Sequence, residues 1–139
     1  MAQLSLACAE LACATNFSFL EGGSHPDEMV AQAAALGLSA IGVADRNTVA
    51  GVVRAHAAAK DHGVRLLVGA RIAPTDGPEV VVYPQGRAAW GRLCTLLTLG
   101  KRRTEKGQCE LQLADLEAHA EGLIALVAPG EAAEPDATF

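Results

Sequence analysis

Aromatic side chains are scarce in this sequence: one Trp, one Tyr and three Phe in 139 residues. Any core must therefore be aliphatic, and the abundant alanine suits helices lying close on a sheet. Cations are also in the minority, with 11 Lys and Arg against 16 Asp and Glu, a formal charge of −5. That balance argues against this chain gripping nucleic acid by itself, because such binding is mostly phosphate neutralisation. No apolar run approaches the roughly 20 residues of a membrane span, so no membrane partner is expected. Cys8, Cys13, Cys94 and Cys109 make neither a CxxC pair nor a zinc spacing, and no secretory signal is read ahead of them. Reduced thiols and a cytoplasmic location are the expectation. Gly69, Gly77 and Gly86 form neither a P-loop nor a GxGxxG, and no two of His25, His56, His62 and His119 stand at i and i+4 as a helical metal pair would.

Half of the residues are apolar, enough to bury a core. Strands are predicted at 7–15, 39–44, 64–72, 79–83 and 123–127. Helices are predicted at 26–36, 49–62, 86–99 and 113–120, with Gly37, Gly63, Gly100 and Gly122 behind them. On the second helix Val52, Val53, His56 and Ala57 are expected to share the apolar side. Residues 45–48 read as a polar turn and 101–110 as a charged loop. Strands alternating with helices over short loops imply an α/β protein with a mostly parallel sheet. The division expected is one domain portion over 1–129, with 130–139 as a tail or the start of a linker.

The order turns on one stretch, Glu10-Leu-Ala-Cys-Ala-Thr-Asn-Phe-Ser-Phe-Leu-Glu-Gly-Gly-Ser-His-Pro26. It starts as a strand and ends at a helix start, with Asn16, Gly22 and Gly23 supplying turn chemistry between. Ser24 reads as the N-cap, ahead of Pro26 and Asp27. Phe17 and Phe19 alternate on extended chain, so at most one need be buried, and they are expected to pack the first loop rather than stack on bases. In parallel α/β proteins, ligands are held at the ends of strands.

The stretch resembles the first motif of the PHP (polymerase and histidinol phosphatase) domain of C-family bacterial DNA polymerases, and most closely the error-prone relatives of the polymerase III alpha subunit. That family typically reads Glu-Leu-His-x-His-Ser-x-Phe-Ser-Phe-Leu-Asp-Gly-Ala-Ser-His-Pro. Both histidine slots hold alanine here, Ala12 and Ala14, while Glu21 keeps the acidic slot. The family's second motif, Thr-Asp-His-Asp, stands as Ala44-Asp45-Arg46-Asn47, and its Gly-x-Glu as Gly69-Ala70-Arg71. The resemblance implies a PHP-like (βα) barrel with helices outside, of which this chain would be the first half.

It also implies a ring of His, Asp and Glu at the strand ends, suited to zinc, manganese or iron that activates water against phosphate esters. Here Glu21 and Asp45 are the remnant acidic positions, and Ala12, Ala14, Arg46 and Arg71 the lost ligand positions. Methyl groups donate no lone pair, and arginine stays protonated in essentially any setting. No metal, cofactor or catalytic residue is therefore expected in this piece. A salt bridge from Arg46 or Arg71 to Asp45 or Glu21 would hold the old pocket closed.

The function the resemblance implies is that of an N-terminal portion of an error-prone, translesion DNA-directed DNA polymerase active in replication and repair, with this portion a non-catalytic docking domain. Nucleotidyl transfer would use magnesium in a palm region of the parent, and DNA would be met through that parent. Partners expected are the remainder of the polymerase, other replication or repair proteins, and, through open strand edges, further copies of this chain. Two alternatives are a metal-dependent phosphoesterase or 3′–5′ exonuclease with an atypical site, and a stand-alone interaction protein. Lys101, Arg102 and Arg103, the one basic cluster, read first as a solvated loop and second as a DNA or partner contact.

Overall fold

The computed structural model describes residues 7–127, and the proposed tail at 130–139 lies outside them. The described residues form nine elements: β1 (Ala9–Cys13), α1 (Pro26–Ala35), β2 (Ala40–Arg46), α2 (Val52–His62), β3 (Arg65–Ile72), β4 (Val80–Pro84), α3 (Arg87–Arg102), α4 (Leu113–Ala118) and β5 (Leu123–Val127). They divide into two compact units, with the boundary in the chain between Ala70 and Arg71, inside β3.

In the first unit β1 and β2 run parallel, as the alternating pattern predicts. Glu10 pairs with Ile41 and Cys13 with Val43, so three steps on β1 match two on β2. The extra residue is a bulge over Leu11 and Ala12, a device common beside functional sites. Amide N–H groups of both residues donate to Glu10 Oε1, at 2.9 and 3.0 Å.

Helices α1 and α2 bury small residues against this pair. The core holds Val30, Ala33, Ile41, Val43, Ala55, Ala58 and Ala59, with Cys13, Met29, Leu38, Val64 and Leu66 packed on it. Burying each of the larger aliphatics is worth about 1.5–3 kcal/mol. The buried side of α2 is Ala55, Ala58 and Ala59; of the expected Val52, Val53, His56 and Ala57, Val52 is half-buried and the other three are exposed. Val53 is 78% exposed. Alanine lets α1 and α2 approach closely, so the smallest residues face inward and the β-branched one faces water. Gly37 (φ 72°) and Gly63 (φ 67°) end their helices in the left-handed region, where glycine pays no Cβ penalty.

In the second unit β4 and β5 pair antiparallel, from Val80 opposite Val127 to Pro84 opposite Leu123. This pair departs from the mostly parallel sheet expected from the sequence. Helix α3 buries Ala89, Leu93, Leu96 and Leu97. It runs through Gly100 to Arg102, two residues beyond the predicted stop. Gly100 lies inside the helix, and a Cβ there would sit 2.6 Å from Cys109 Sγ and 2.7 Å from Leu111 Cγ. It is a close-approach residue rather than a terminator, and the supposed charged loop begins later than predicted.

Candidate functional site

The C-terminal ends of β1 and β2 bring Thr15, Ser18, Glu21, Asp45 and Arg46 together. Strand β2 continues through Asp45 to Arg46, where the sequence suggested a turn. The extension matters, because it drives Asp45 inward to 1% exposure. A carboxylate so buried needs donors, and the loop after β1 provides them. Thr15 N–H donates to Oδ1 at 2.7 Å, Ser18 Oγ to the same oxygen at 2.7 Å, and Thr15 Oγ1 to Oδ2 at 2.8 Å. Thr15 and Ser18 are themselves buried, at 0% and 2% exposure. Ser18 Oγ also accepts from Arg46 N–H at 3.0 Å, and Thr15 Oγ1 from Phe17 N–H at 3.2 Å. One carboxylate thus staples the loop to β2.

Neither Thr15 nor Ser18 was singled out by sequence reasoning. The available signal was a hydroxyl pair three residues apart, directly after a strand and ahead of an aspartate at the end of the next.

Above the staple, Arg46 Nη1 lies 2.7 Å from Glu21 Oε1. Of the salt bridges the sequence suggested, this one is formed. Its side chains are 47% and 29% exposed, and an exposed pair is worth at most about 1 kcal/mol. The loop is therefore held mainly by the buried carboxylate rather than by the ion pair. The backbone joins in: Asn16 N–H donates to Ser24 C=O at 2.8 Å, and Glu21 and Gly22 N–H both donate to Ser18 C=O at 3.0 Å. A Cβ at Gly22 would overlap the Thr15 carbonyl, and one at Gly51 would lie 3.1 Å from Asp45 Oδ2. Asn47 follows in the left-handed region (φ 51°), which asparagine tolerates.

The donor chemistry of these residues does not fit a divalent ion. Asp45 has three of its roughly four acceptor positions taken, Glu21 faces a guanidinium, and Ala12 and Ala14 carry no donor atom. Among the described residues no group of three or more His, Cys, Asp or Glu could hold a metal. Cys13 is no substitute thiolate: burial, together with the nearby charges of Glu10 and Asp45, pushes its thiol up to about 11. Serving the helix start, His25 rather than Ser24 stands at the N-cap of α1, with Glu28 Oε2 accepting its N–H at 2.8 Å. The ring is 3.4 Å from Arg54 Nη1, which belongs to an arginine bound to Asp27 at 2.7 Å.

The remaining sequence candidates belong to the second unit. Arg71 lies 3.9 Å from Glu79 Oε2. Lys101 and Arg102 close α3 and are exposed. Arg103 forks onto Asp115, with Nη2 at 2.9 Å from Oδ1. That bond, aided by the Gln112 N–H, draws the Asp115 carboxyl down to about 2. Arg103 is thus a tie between the end of α3 and the start of α4, which leaves Lys101 and Arg102 as the exposed cations at the end of α3.

Three comparisons place this architecture among known proteins. The PHP domain family matches residues 10–138. The chain is 56% identical over 128 residues to an error-prone DNA polymerase of Rhodopseudomonas palustris (strain BisB5), covering 88% of this chain and 12% of that one. It is 55% identical over 133 residues to an error-prone DNA polymerase of Brucella abortus, covering 91% and 12%. In structure it is similar to a candidate metal-dependent phosphoesterase from Bifidobacterium adolescentis, with a TM-score of 0.58 and 26% identity over 70% of this chain and 34% of that one. The chain spans about an eighth of the length of the polymerases it matches.

Proposed function

This chain belongs to the PHP domain family, and from that premise we propose that it is a metal-free scaffold for an error-prone DNA polymerase, docking to the polymerase rather than performing chemistry. The observation that carries the reading is the fate of the acidic remnants. Asp45 is consumed by Thr15 and Ser18, and Glu21 by a guanidinium standing where the family resemblance expects a histidine. A strand end that orients a metal in catalytic members becomes, in this chain, a hydrogen-bonded joint. The parent would extend primers across damaged template in the cytoplasm, with magnesium and DNA held by regions outside this chain.

The polymerase relatives at 55–56% identity support the parent assignment. A metal-dependent phosphoesterase is the second reading, favoured by the Bifidobacterium neighbour and opposed by the donor set. The test is a hybrid in which this chain replaces the matching N-terminal segment of the Rhodopseudomonas polymerase. Primer extension past a template lesion should persist in the hybrid and fail when that segment is deleted. Chelator-sensitive phosphoester hydrolysis by the chain alone would overturn the reading.

A further inference from the structure

The loop after β1 ends in two large apolar side chains that face water: Phe19 is 85% exposed and Leu20 90%. The sequence requires at most one of Phe17 and Phe19 to be buried, and Phe19 is the more exposed of the two. Its placement is not slack. Residues on either side are fixed by the Asp45 staple and by the bonds of Asn16, Glu21 and Gly22. Leu20 itself sits at φ 65°, a left-handed conformation that is costly for a bulky branched residue and is found where surrounding structure enforces it. A stapled base thus presents a strained apolar apex. Rigid aromatic and aliphatic groups already ordered before contact are what interface anchors are made of.

The charge around the apex selects the kind of partner. Within residues 16–28 the fixed charges are Glu21, Asp27 and Glu28. The cations that reach them, Arg46 and Arg54, are each spent on one of those carboxylates. No excess positive charge is left for phosphates or anionic headgroups, so the partner is an apolar recess in a protein. Two side chains bury only a few hundred Å², well below the roughly 1,200 Å² of a standard stable interface. A contact that small is effective when tethering makes it intramolecular. The polymerase relatives carry their matching segment within a chain about eight times longer.

Resting on the scaffold reading above, we propose that Phe19 and Leu20 form a plug that seats in an apolar pocket of the polymerase portion of the same polypeptide. The test uses the hybrid polymerase and compares the F19S/L20S double variant with V53S, which alters an equally exposed residue on α2. Thermal inactivation of primer extension should be at least 10-fold faster in F19S/L20S and unchanged in V53S. In the isolated chain both variants should melt with the parent, since neither touches the core. A photo-crosslinker at position 19 should join this chain to residues of the polymerase portion. An active hybrid whose inactivation is indifferent to F19S/L20S overturns the plug and leaves the scaffold reading standing. An inactive hybrid overturns the scaffold reading itself. A dimer of the isolated chain dissolved by F19S/L20S would assign the apex to a second copy, and so overturn the plug as well.

Discussion

Replacing Asp45 by alanine removes three acceptor contacts at once, from Thr15 N–H, Thr15 Oγ1 and Ser18 Oγ. Hydrogen bonds to a charged group contribute about 1.5–3 kcal/mol each. The sum is reduced because deleting the carboxylate also removes the cost of burying a charge, and because the two hydroxyls can turn. The backbone N–H of Thr15 cannot. A loss of about 3–5 kcal/mol is the expected balance, a large part of the 5–15 kcal/mol that typically holds a domain. In Asp45→Asn an oxygen still serves Thr15 N–H and Ser18 Oγ, so the loss should fall to about 1–2 kcal/mol. Urea unfolding should be followed by far-UV circular dichroism, since Trp90 belongs to α3 of the second unit. With a urea slope of about 1–2 kcal/mol/M, the alanine variant should lose at least about 1.5 M in midpoint. Two results would refute the reasoning: a shift under about 1 kcal/mol for alanine, or a parent midpoint that drops on chelation, which would mean that a metal and not the hydroxyls restrains the loop.

Three further outcomes follow from the same geometry. Arg46→Ala should cost less than about 1 kcal/mol in the same urea experiment, because its partner Glu21 is solvent-accessible. Asp115, held near 2 by Arg103 and the Gln112 N–H against an ordinary 3.8, stabilises the fold fully above the ordinary carboxylate range. That contribution is lost as pH falls through its folded value, so the advantage of the parent over Asp115→Asn should be constant near neutrality and vanish toward about pH 2 in acid titrations. Cys13, with its thiol raised to about 11, should resist iodoacetamide while exposed Cys8 is alkylated, as peptide mapping would read.

The parts of the fold written in local chemistry were legible in the chain. Pro26 starts α1, Gly37 and Gly63 close their helices, and residues 123–127 form the last strand as patterned. What escaped depends on distant partners. Gly100 resembled a terminator until Cys109 and Leu111 were found against it. The face of α2 was misassigned because its valine and histidine outrank alanine in hydrophobic or chemical interest, whereas close helix packing rewards the smallest residue. Glu21 and Asp45 stand out in the sequence as remnant acidic positions and Arg46 as a lost ligand position, and the Arg46–Glu21 bridge is among those anticipated. The staple is not, because the hydroxyl pair after β1 does not by itself tell that Asp45, thirty residues beyond Thr15, will reach it.

The central claim is that this strand-end pocket closes on itself and grips no divalent cation. Calorimetric titration of zinc and of manganese into chelator-stripped protein tests it most directly. The account predicts heats of dilution alone, the same for the parent and for Glu21→Gln. Saturable, stoichiometric binding by the parent that Glu21→Gln weakens would contradict it.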